Sequence, residues 1–322
     1  MANCVLCGGE MVDWLACPID AKTFEPTPYG NAKRCEICDL GRIDPLPAPE
    51  ELDGFYKLDA YYTHGETHFA AGAEQNFFDR VRDNIAWRFD KGDELDPASI
   101  IAKTGKPANE LSVLDIGCGH GSLLKKFKAL GAAAAGLEPD PEAGAALTAA
   151  GIDWYQGVGE AAPESLTDRT FDIVAMTHSL EHCIDPVKAL QTAHSLLTSG
   201  GIFICETPNC ACLHFERTNI FSEMYDAPRH LHFFTPKSLS AMIKHAGFDV
   251  TDEYYLGFVR HFQNGWRATE NRIREKIIEN SGPTSSLAPE YSRSGAMKLL
   301  LKTASVSPAK KYDCVGFYAT RS

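Results

Sequence analysis

A glycine-rich turn with an acidic residue ahead of it offers the clearest chemistry in this sequence. Residues 113–121 read Val-Leu-Asp-Ile-Gly-Cys-Gly-His-Gly, an apolar run that leads into three alternating glycines and then into a helical pattern. Glycines at such a turn leave backbone N–H groups open to a ligand at a helix N-terminus. A nicotinamide-type fingerprint would place its third glycine three residues after the second, whereas here the spacing is two. The turn therefore predicts a ligand-binding loop that is not a dinucleotide site.

The next predicted strand ends at a second carboxylate, Glu138, after a run of apolar and small residues at 132–137. Together, the D-x-G-x-G-x-G pattern and this carboxylate resemble class I S-adenosylmethionine-dependent methyltransferases. The resemblance implies that Asp115, Gly117 and Gly119 line the amino-acid part of S-adenosylmethionine. It also implies that Glu138 binds the ribose hydroxyls and that the product is S-adenosylhomocysteine.

Two later loops supply further predicted cofactor contacts. Gly157 and Val158 follow the third predicted strand, where related enzymes often place an acidic or polar group on the adenine amine. This chain lacks an acidic residue directly after the glycine, so the backbone of these two residues is predicted to contact adenine.

Residues 177–186, Thr-His-Ser-Leu-Glu-His-Cys-Ile-Asp-Pro, closely resemble the signature of ubiquinone-biosynthesis-like and related small-molecule methyltransferases. Because ligands lie at the carboxyl ends of parallel strands, Thr177 and His178 are predicted to touch the cofactor.

A segment rich in aromatic residues precedes the glycine loop. Tyr61 and Tyr62 are followed by a predicted helix over residues 74–89. The apolar residues that recur at helical spacing in it are Phe77, Phe78, Val81, Ile85 and Phe89. In the resembling methyltransferases such a helix commonly lies over the cofactor, which makes Tyr61 and Tyr62 candidates for contacting it. The alternative is that these rings pack beneath the proline-rich linker at 44–50.

Four cysteines near the N-terminus have the spacing of metal ligands. Cys4-x-x-Cys7 and Cys35-x-x-Cys38 form two knuckles whose thiolates suit a tetrahedral Zn²⁺ site. Cysteines of a cytoplasmic protein are kept reduced, which favours metal ligation over disulfides. The alternative is that they are ordinary buried or free cysteines. We predict a zinc-ribbon-like head with one structural zinc.

From residue 111 onward, strand-like and helix-like patterns alternate, which is typical of an α/β fold with helices on both faces of a parallel sheet. Strands are predicted at 111–116, 132–138, 152–156, 171–176, 201–206, 248–256 and 312–319. Seven strands agree with the Rossmann-like sheet that the methyltransferase resemblance implies. Asp-Pro pairs at 140–141 and 185–186 predict helix starts. The predicted domains are a zinc-binding head at 1–45, a linker with pre-core helices at 46–110, and a core at 111–322 with a helical insertion at about 260–310.

The loop after the fifth predicted strand carries residues suited to acid–base chemistry. It includes Tyr225 and ends in Arg229-His230-Leu-His-Phe-Phe. With the cysteine head, this loop resembles zinc-headed methyltransferases of bacterial sugar and surface-polysaccharide pathways. That resemblance makes His230 the first candidate for the base that deprotonates the acceptor, with Tyr225 nearby and His182 as the second candidate. Arg229 would hold an anionic group of the acceptor. The alternative is that His230 only braces the loop against the sheet.

Composition and charge limit the possible partners. The formal net charge is −12, and the first 50 residues contain four Lys and Arg against eight Asp and Glu. A nucleic-acid surface needs basic residues, so nucleic acid is not an expected partner. No apolar run reaches the roughly 18 residues that span a bilayer, and no signal-peptide pattern is present. The sequence predicts a cytoplasmic enzyme that acts on a small-molecule acceptor, a sugar or cell-surface-polysaccharide precursor, and leaves its oligomeric state open.

Two other functions are compatible with these motifs. A zinc-headed RNA methyltransferase would share the cysteines and the glycine loop, but it should carry a basic surface. A non-catalytic scaffold would bind the cofactor without transferring a methyl group. The sequence also leaves open whether the methyl group goes to oxygen, nitrogen or carbon.

Overall fold

The chain divides into two compact units, which we call the head unit and the sheet unit. The structure is a computed structural model that describes residues 3–56, 75–93, 95–282 and 289–321. The head unit comprises Met1–Asp93, Pro208–Pro236 and Tyr255–Val315, and the sheet unit comprises Glu94–Thr207, Lys237–Tyr254 and Gly316–Ser322. These two units do not coincide with the predicted domains at 1–45, 46–110 and 111–322, which stay a prediction. Residues 208–236 and 255–315 belong with the head, because strand pairing and buried ion pairs join them to it.

Eleven strands in the described residues form two sheets. The strands are β1 (Met11–Ala16), β2 (Asn31–Cys35), β3 (Gly41–Ile43), β4 (Ser112–Ile116), β5 (Ala133–Glu138), β6 (Asp153–Gln156), β7 (Phe171–Thr177), β8 (Leu197–Pro208), β9 (His232–Phe233), β10 (Asp249–Leu256) and β11 (Cys314–Thr320). All seven strands predicted from residue 111 onward are confirmed, close to the predicted bounds.

Helices occupy most of the remaining described chain. They are α1 (Pro49–Tyr56), α2 (Phe77–Phe89), α3 (Pro97–Thr104), α4 (Ser122–Ala129), α5 (Pro141–Ala149), α6 (Glu164–Thr167), α7 (Pro186–Leu196), α8 (Leu213–Thr218), α9 (Pro236–His245), α10 (Asn264–Ser281), α11 (Arg293–Thr303) and α12 (Pro308–Lys311). Short 3₁₀ helices lie at Ala108–Glu110, Leu180–His182, Asn219–Phe221, Glu223–Tyr225 and Val259–Phe262. Among the described helices, none has the length and apolar character needed to cross a membrane.

The sheet unit is built around seven strands in the order β10-β11-β8-β7-β4-β5-β6. The strands from β4 to β8 pair in parallel with one another. Their central residues, such as Val113, Val174 and Ile204, are fully buried, which explains why these strands appear as continuous apolar runs. The predicted helix starts are confirmed, because Asp140 and Asp185 cap α5 and α7 through their side chains.

The head unit contains a four-stranded sheet in the order β1-β2-β3-β9. Its pairs are antiparallel, and the last strand, β9, comes from the loop after β8. Gly41 on β3 lies against two aromatic rings, since a Cβ atom there would be 2.7 Å from Trp14 and 2.9 Å from Phe233. Glycine is therefore required where β9 approaches the ribbon.

Helix α2 packs on its polar face, which corrects the predicted apolar face. Phe77 and Phe78 are 73% and 74% exposed, whereas Asp79 and Arg82 are almost fully buried. Asp79 pairs with Arg82 at 3.0 Å and accepts a hydrogen bond from the Asn264 side chain at 2.9 Å. Both carboxylate oxygens also lie 3.2 Å from Nε of Arg293. Because Asp79 has partners inside the head unit, the polar face of α2 is buried and Phe77 and Phe78 are exposed.

Candidate active site

The glycine loop between β4 and α4 has the left-handed backbone that its sequence predicts. Gly117, Gly119 and Gly121 have φ values of +74°, +50° and +73°. The space around them differs, however. A Cβ atom on Gly117 would lie 2.5 Å from Cβ of Ser179, so glycine is needed there to accommodate Ser179. No described atom lies within 4 Å of a Cβ atom built on Gly119, which leaves this backbone open to a ligand.

Two buried carboxylates flank this loop at the carboxyl ends of β4 and β5. Glu138 accepts hydrogen bonds from the backbone N–H groups of Gly119 at 2.8 Å and Asp140 at 3.1 Å. Asp115 is 2% exposed, and its Oδ1 has no hydrogen-bond partner among the described residues. Burial, together with the charge of Glu138, raises the pKa of Asp115 to about 8. Burial also raises the pKa of Glu138.

The predicted adenine contacts fall on a short turn after β6. The N–H group of Gly157 donates to the carbonyl of Glu138 at 3.2 Å, so this group is already used between the strands. The side chain of Val158 is 42% exposed, and its carbonyl accepts a hydrogen bond from Ala161. The N–H group of Gly157 is therefore not available, and the contact of adenine with the backbone of Gly157 and Val158 stays a prediction.

His178 lies directly after β7, as predicted, and the structure adds two carboxylates that the sequence reasoning missed. Its backbone adopts a φ of +52°, and Thr177 ends the strand just before it. The Nε2 atom lies 3.0 Å from Oε1 of Glu206, at the end of β8, and Nδ1 lies 3.5 Å from Oε1 of Glu181. A strand-end carboxylate was the available signal for Glu206, the same signal that identified Glu138.

The loop over residues 208–236, which we call the rim loop, belongs to the head unit. Arg229 is fully buried, and its guanidinium donates to Asp226 in the same loop and to Asp20 in the N-terminal segment, both at 2.9 Å. The expectation that Arg229 binds an anionic acceptor is therefore corrected, because protein carboxylates already occupy its donors. Asp20 was not identified from the sequence, since its partner lies 209 residues away.

The remaining catalytic candidates have different surroundings. The hydroxyl of Tyr225 donates to the carbonyl of Gly30 at 2.8 Å, and burial raises its pKa well above the usual value, so a catalytic role for Tyr225 is corrected to a structural one. Nδ1 of His230 lies 2.9 Å from the carbonyl of Met224. A carbonyl only accepts, so Nδ1 donates this hydrogen bond, which fixes the orientation of the ring. His182 ends a 3₁₀ helix in the sheet unit and is half-buried.

The four predicted metal ligands converge in the head unit. Cys4 Sγ lies 3.4 Å from Cys38 Sγ, and Cys7 Sγ lies 3.4 Å from Cys35 Sγ. All four sulfurs lie within 4.8 Å of one another. Zn–S bonds of about 2.3 Å in a tetrahedron place sulfurs roughly 3.8 Å apart, so the cluster fits Zn²⁺. Tyr61 and Tyr62 lie outside the described residues.

The two cysteine knuckles share the same backbone turn. In the first, Gly8 donates its N–H to the carbonyl of Cys4 at 2.9 Å and has a φ of +72°. In the second, Asp39 donates to the carbonyl of Cys35 at 2.9 Å and has a φ of +65°. A repeated turn that presents thiols from both sides is the geometry a four-thiolate site needs.

The sheet unit has parallel strands, a glycine turn, and the carboxylates of Asp115 and Glu138 at the carboxyl ends of β4 and β5. These features define the class of S-adenosylmethionine-binding folds that the sequence resembles. The family model described as "Methyltransferase domain" matches residues 78–253. Ubiquinone biosynthesis O-methyltransferases of Ruegeria sp. (strain TM1040) and Ruegeria pomeroyi are each 33% identical to this chain, over 193 and 168 residues. These alignments cover 56% and 48% of this chain and 73% and 66% of the two enzymes.

Among solved structures, an S-adenosylmethionine-dependent methyltransferase from Archaeoglobus fulgidus is 17% identical, with a TM-score of 0.47, over 76% of this chain and 100% of that one. The chain belongs to the methyltransferase-domain family, and it is an S-adenosylmethionine-dependent methyltransferase. The predicted similarity to ubiquinone-biosynthesis enzymes is confirmed. These relatives are not enzymes of sugar or surface-polysaccharide pathways, and the family match does not include residues 1–77.

Proposed function

We propose that this methyltransferase transfers the methyl group to a hydroxyl group of a small molecule. The observation that supports cofactor binding at this site is the buried Oδ1 of Asp115, which has no hydrogen-bond partner among the described residues and lies one loop away from Gly119. A buried carboxylate oxygen of this kind suits the ammonium group of the cofactor's amino-acid end. The carboxylate of Glu138 suits the ribose hydroxyls. Oxygen as the acceptor atom is supported by the names of the relatives, which are O-methyltransferases.

The protein's own contribution to the chemistry is alignment and proton removal. When bound, S-adenosylmethionine supplies a methyl group on a positively charged sulfonium, which is already a strong electrophile. A positioned base near the acceptor oxygen is then the main requirement. His230 is the proposed base, because the carbonyl of Met224 fixes the orientation of its imidazole within the loop that follows β8. His182 is the second candidate. The proposed further cofactor contacts are Thr177, His178, Gly157 and Val158.

The acceptor itself is tested by a transfer assay with tritiated S-adenosylmethionine on the full chain. Four pools serve as acceptors: ubiquinone precursors, nucleotide-linked sugars, lipids and total RNA. We expect label in one of the small-molecule pools, bound as an ether that survives mild alkaline treatment. Label in RNA would support a zinc-headed RNA methyltransferase instead. Cofactor binding without label in any pool would support the scaffold function.

The His230→Asn variant tests the proposed base. It should keep its affinity for S-adenosylmethionine and its melting temperature while turnover falls by about 10²–10⁴-fold, the usual contribution of a positioned base. His245→Asn is the matched control, because His245 is exposed at the end of α9. Lower stability with normal turnover of the folded fraction would show that His230 is a brace. In that case the same measurement on His182→Asn becomes decisive.

We also propose one structural zinc ion per chain, held by Cys4, Cys7, Cys35 and Cys38. The convergence of four sulfurs on two matching turns supports it. Elemental analysis of the purified full chain should find one zinc per molecule, and Cys35→Ser should lose it. Cys17→Ser is the control, because Cys17 lies in the head but outside the cluster. A folded head with four free thiols and no zinc would contradict the proposal.

A further inference from the structure

The rim loop is held by several independent contacts to the N-terminal segment of the head unit. Strand β9 pairs with β3, with Gly41 opposite Phe233 and Arg42 opposite His232. The hydroxyl of Tyr225 donates to Gly30. Lys22 forms an ion pair of 2.7 Å with Glu223. The rim loop therefore packs against residues 22–42 of the N-terminal segment, and these contacts hold its conformation.

Arg229 is the centre of this attachment. Its guanidinium lies between two carboxylates, Asp226 from the rim loop and Asp20 from the N-terminal segment. It is fully buried, and so is Asp226, whose pKa is lowered to about 2 because the charges of Arg229 and Lys22 outweigh its burial. A buried guanidinium must keep its partners, since leaving it unpaired would be strongly destabilising.

The same residues determine where His230 lies. The carbonyl of Asp226 accepts the backbone N–H groups of Arg229 at 2.8 Å and of His230 at 2.9 Å. His230 is therefore one residue from the guanidinium and bonded to the turn that Arg229 stabilises. Displacement of Arg229 must move the turn that carries the imidazole.

We propose that Asp20 is a positioning residue for His230. The N-terminal segment orients the rim loop through the ion pairs that link Asp20, Arg229 and Asp226. The proposal rests on the proposed function for the catalytic meaning of His230. Asp20→Asn is suited to a test, because Arg229 keeps the charge of Asp226 and is not left unpaired. The bridge from the N-terminal segment is weakened while the ion pair within the rim loop remains.

The experiment compares full-length Asp20→Asn, Asp20→Glu and Asp13→Asn with the unaltered chain. Asp13 is the matched control, because it lies in β1 with its side chain 96% exposed. We expect Asp20→Asn to speed amide hydrogen exchange in residues 222–233 at least tenfold and to shift the ¹⁵N signal of His230, identified by its loss in His230→Asn. Asp20→Glu should restore both in part, and Asp13→Asn should change neither. Affinity for S-adenosylmethionine should stay within twofold.

Unchanged exchange and an unchanged His230 signal in Asp20→Asn would overturn the proposal, as would equal acceleration in β4–β8. If Asp20→Asn does not fold, Asp20→Glu is the second test, because it keeps the charge but lengthens the side chain that contacts Arg229. That variant should loosen residues 222–233 in part, and no change there would also overturn the proposal. If His230→Asn turns over normally, the base assignment fails, while the exchange data still decide whether Asp20 holds the rim loop.

Discussion

At the scale of single residues, the two carboxylates beside the glycine loop differ in how the protein satisfies them. Glu138 accepts two backbone hydrogen bonds, whereas Asp115 has an unpartnered oxygen in the described structure. An unpartnered buried carboxylate lowers the stability of the protein alone. Such a residue is expected where a cationic group of a ligand completes the site.

Asp115→Asn should stabilise the protein while weakening cofactor binding. The pKa of Asp115 is raised from 3.8 to about 8, so between these values the native state holds a proton that the unfolded chain has released. Stability therefore falls as pH rises through this window. The asparagine variant lacks this loss, and its free energy of unfolding in urea should exceed that of the unaltered chain more at pH 8.5 than at pH 5. Affinity for S-adenosylmethionine, measured by calorimetry, should fall at least tenfold.

Asp153→Asn is the control for this measurement, because Asp153 is exposed at the start of β6. Equal destabilisation at both pH values, or unaltered cofactor affinity, would show that Asp115 has another role.

At the scale of elements, two glycines of the loop between β4 and α4 lack a side chain for different reasons. A Cβ atom on Gly117 would collide with Ser179, whereas a Cβ atom on Gly119 would have no atom of the described residues within 4 Å. The sequence pattern alone treats both as cofactor contacts. Only the structure distinguishes protein packing from ligand access.

Gly119→Ala tests this distinction. Gly119 and Gly105 both have positive φ and no described atom near a built Cβ, so alanine at either position should cost about 1–2 kcal/mol of stability. We expect calorimetry to show a large loss of S-adenosylmethionine affinity for Gly119→Ala and none for Gly105→Ala. Equal affinities in the two variants would place the cofactor elsewhere.

The elements that the sequence predicts well are those defined by neighbouring residues. The seven strands and the caps Asp140 and Asp185 depend on local patterns, and all of them are found. Helix α2 is predicted correctly, but the face on which it packs is not. Its polar face is buried because Asp79 bonds to Asn264 and Arg293, which lie far along the chain. The roles of Tyr225 and Arg229 were missed for the same reason, since their partners are distant in sequence.

At the scale of the whole molecule, we expect one buried histidine of the head unit, His261, to contribute to the loss of stability in acid. His214 and His261 stack with ring centroids 4.0 Å apart, and each imidazole contacts a buried carboxylate, Glu270 or Asp313. Burial, followed by the charge of His214, lowers the pKa of His261 from 6.5 to about 4. The neutral imidazole is therefore part of the folded state.

The sign of the pH dependence follows from this lowered pKa. The stability that neutral His261 contributes is complete above pH 6.5 and is lost as the pH falls toward 4, because only the unfolded chain takes up the proton there. His261→Gln keeps a donor for Asp313 without titrating, so its free energy of unfolding should fall less between pH 7 and pH 4.5. His245→Gln should behave like the unaltered chain. An equally steep decline in His261→Gln would exclude His261 as the source.

The pairing of β9 with β3 also has a consequence for biosynthesis. During translation β1, β2 and β3 leave the ribosome early, whereas β9 follows only after the strands from β4 to β8 have been made. Until then, β3 presents unpaired backbone groups along one side, which is a template for pairing with another nascent chain. Fragments that end before residue 232 should therefore aggregate through this side of β3. The tendency to aggregate comes from the order of synthesis and not from low stability of the folded protein.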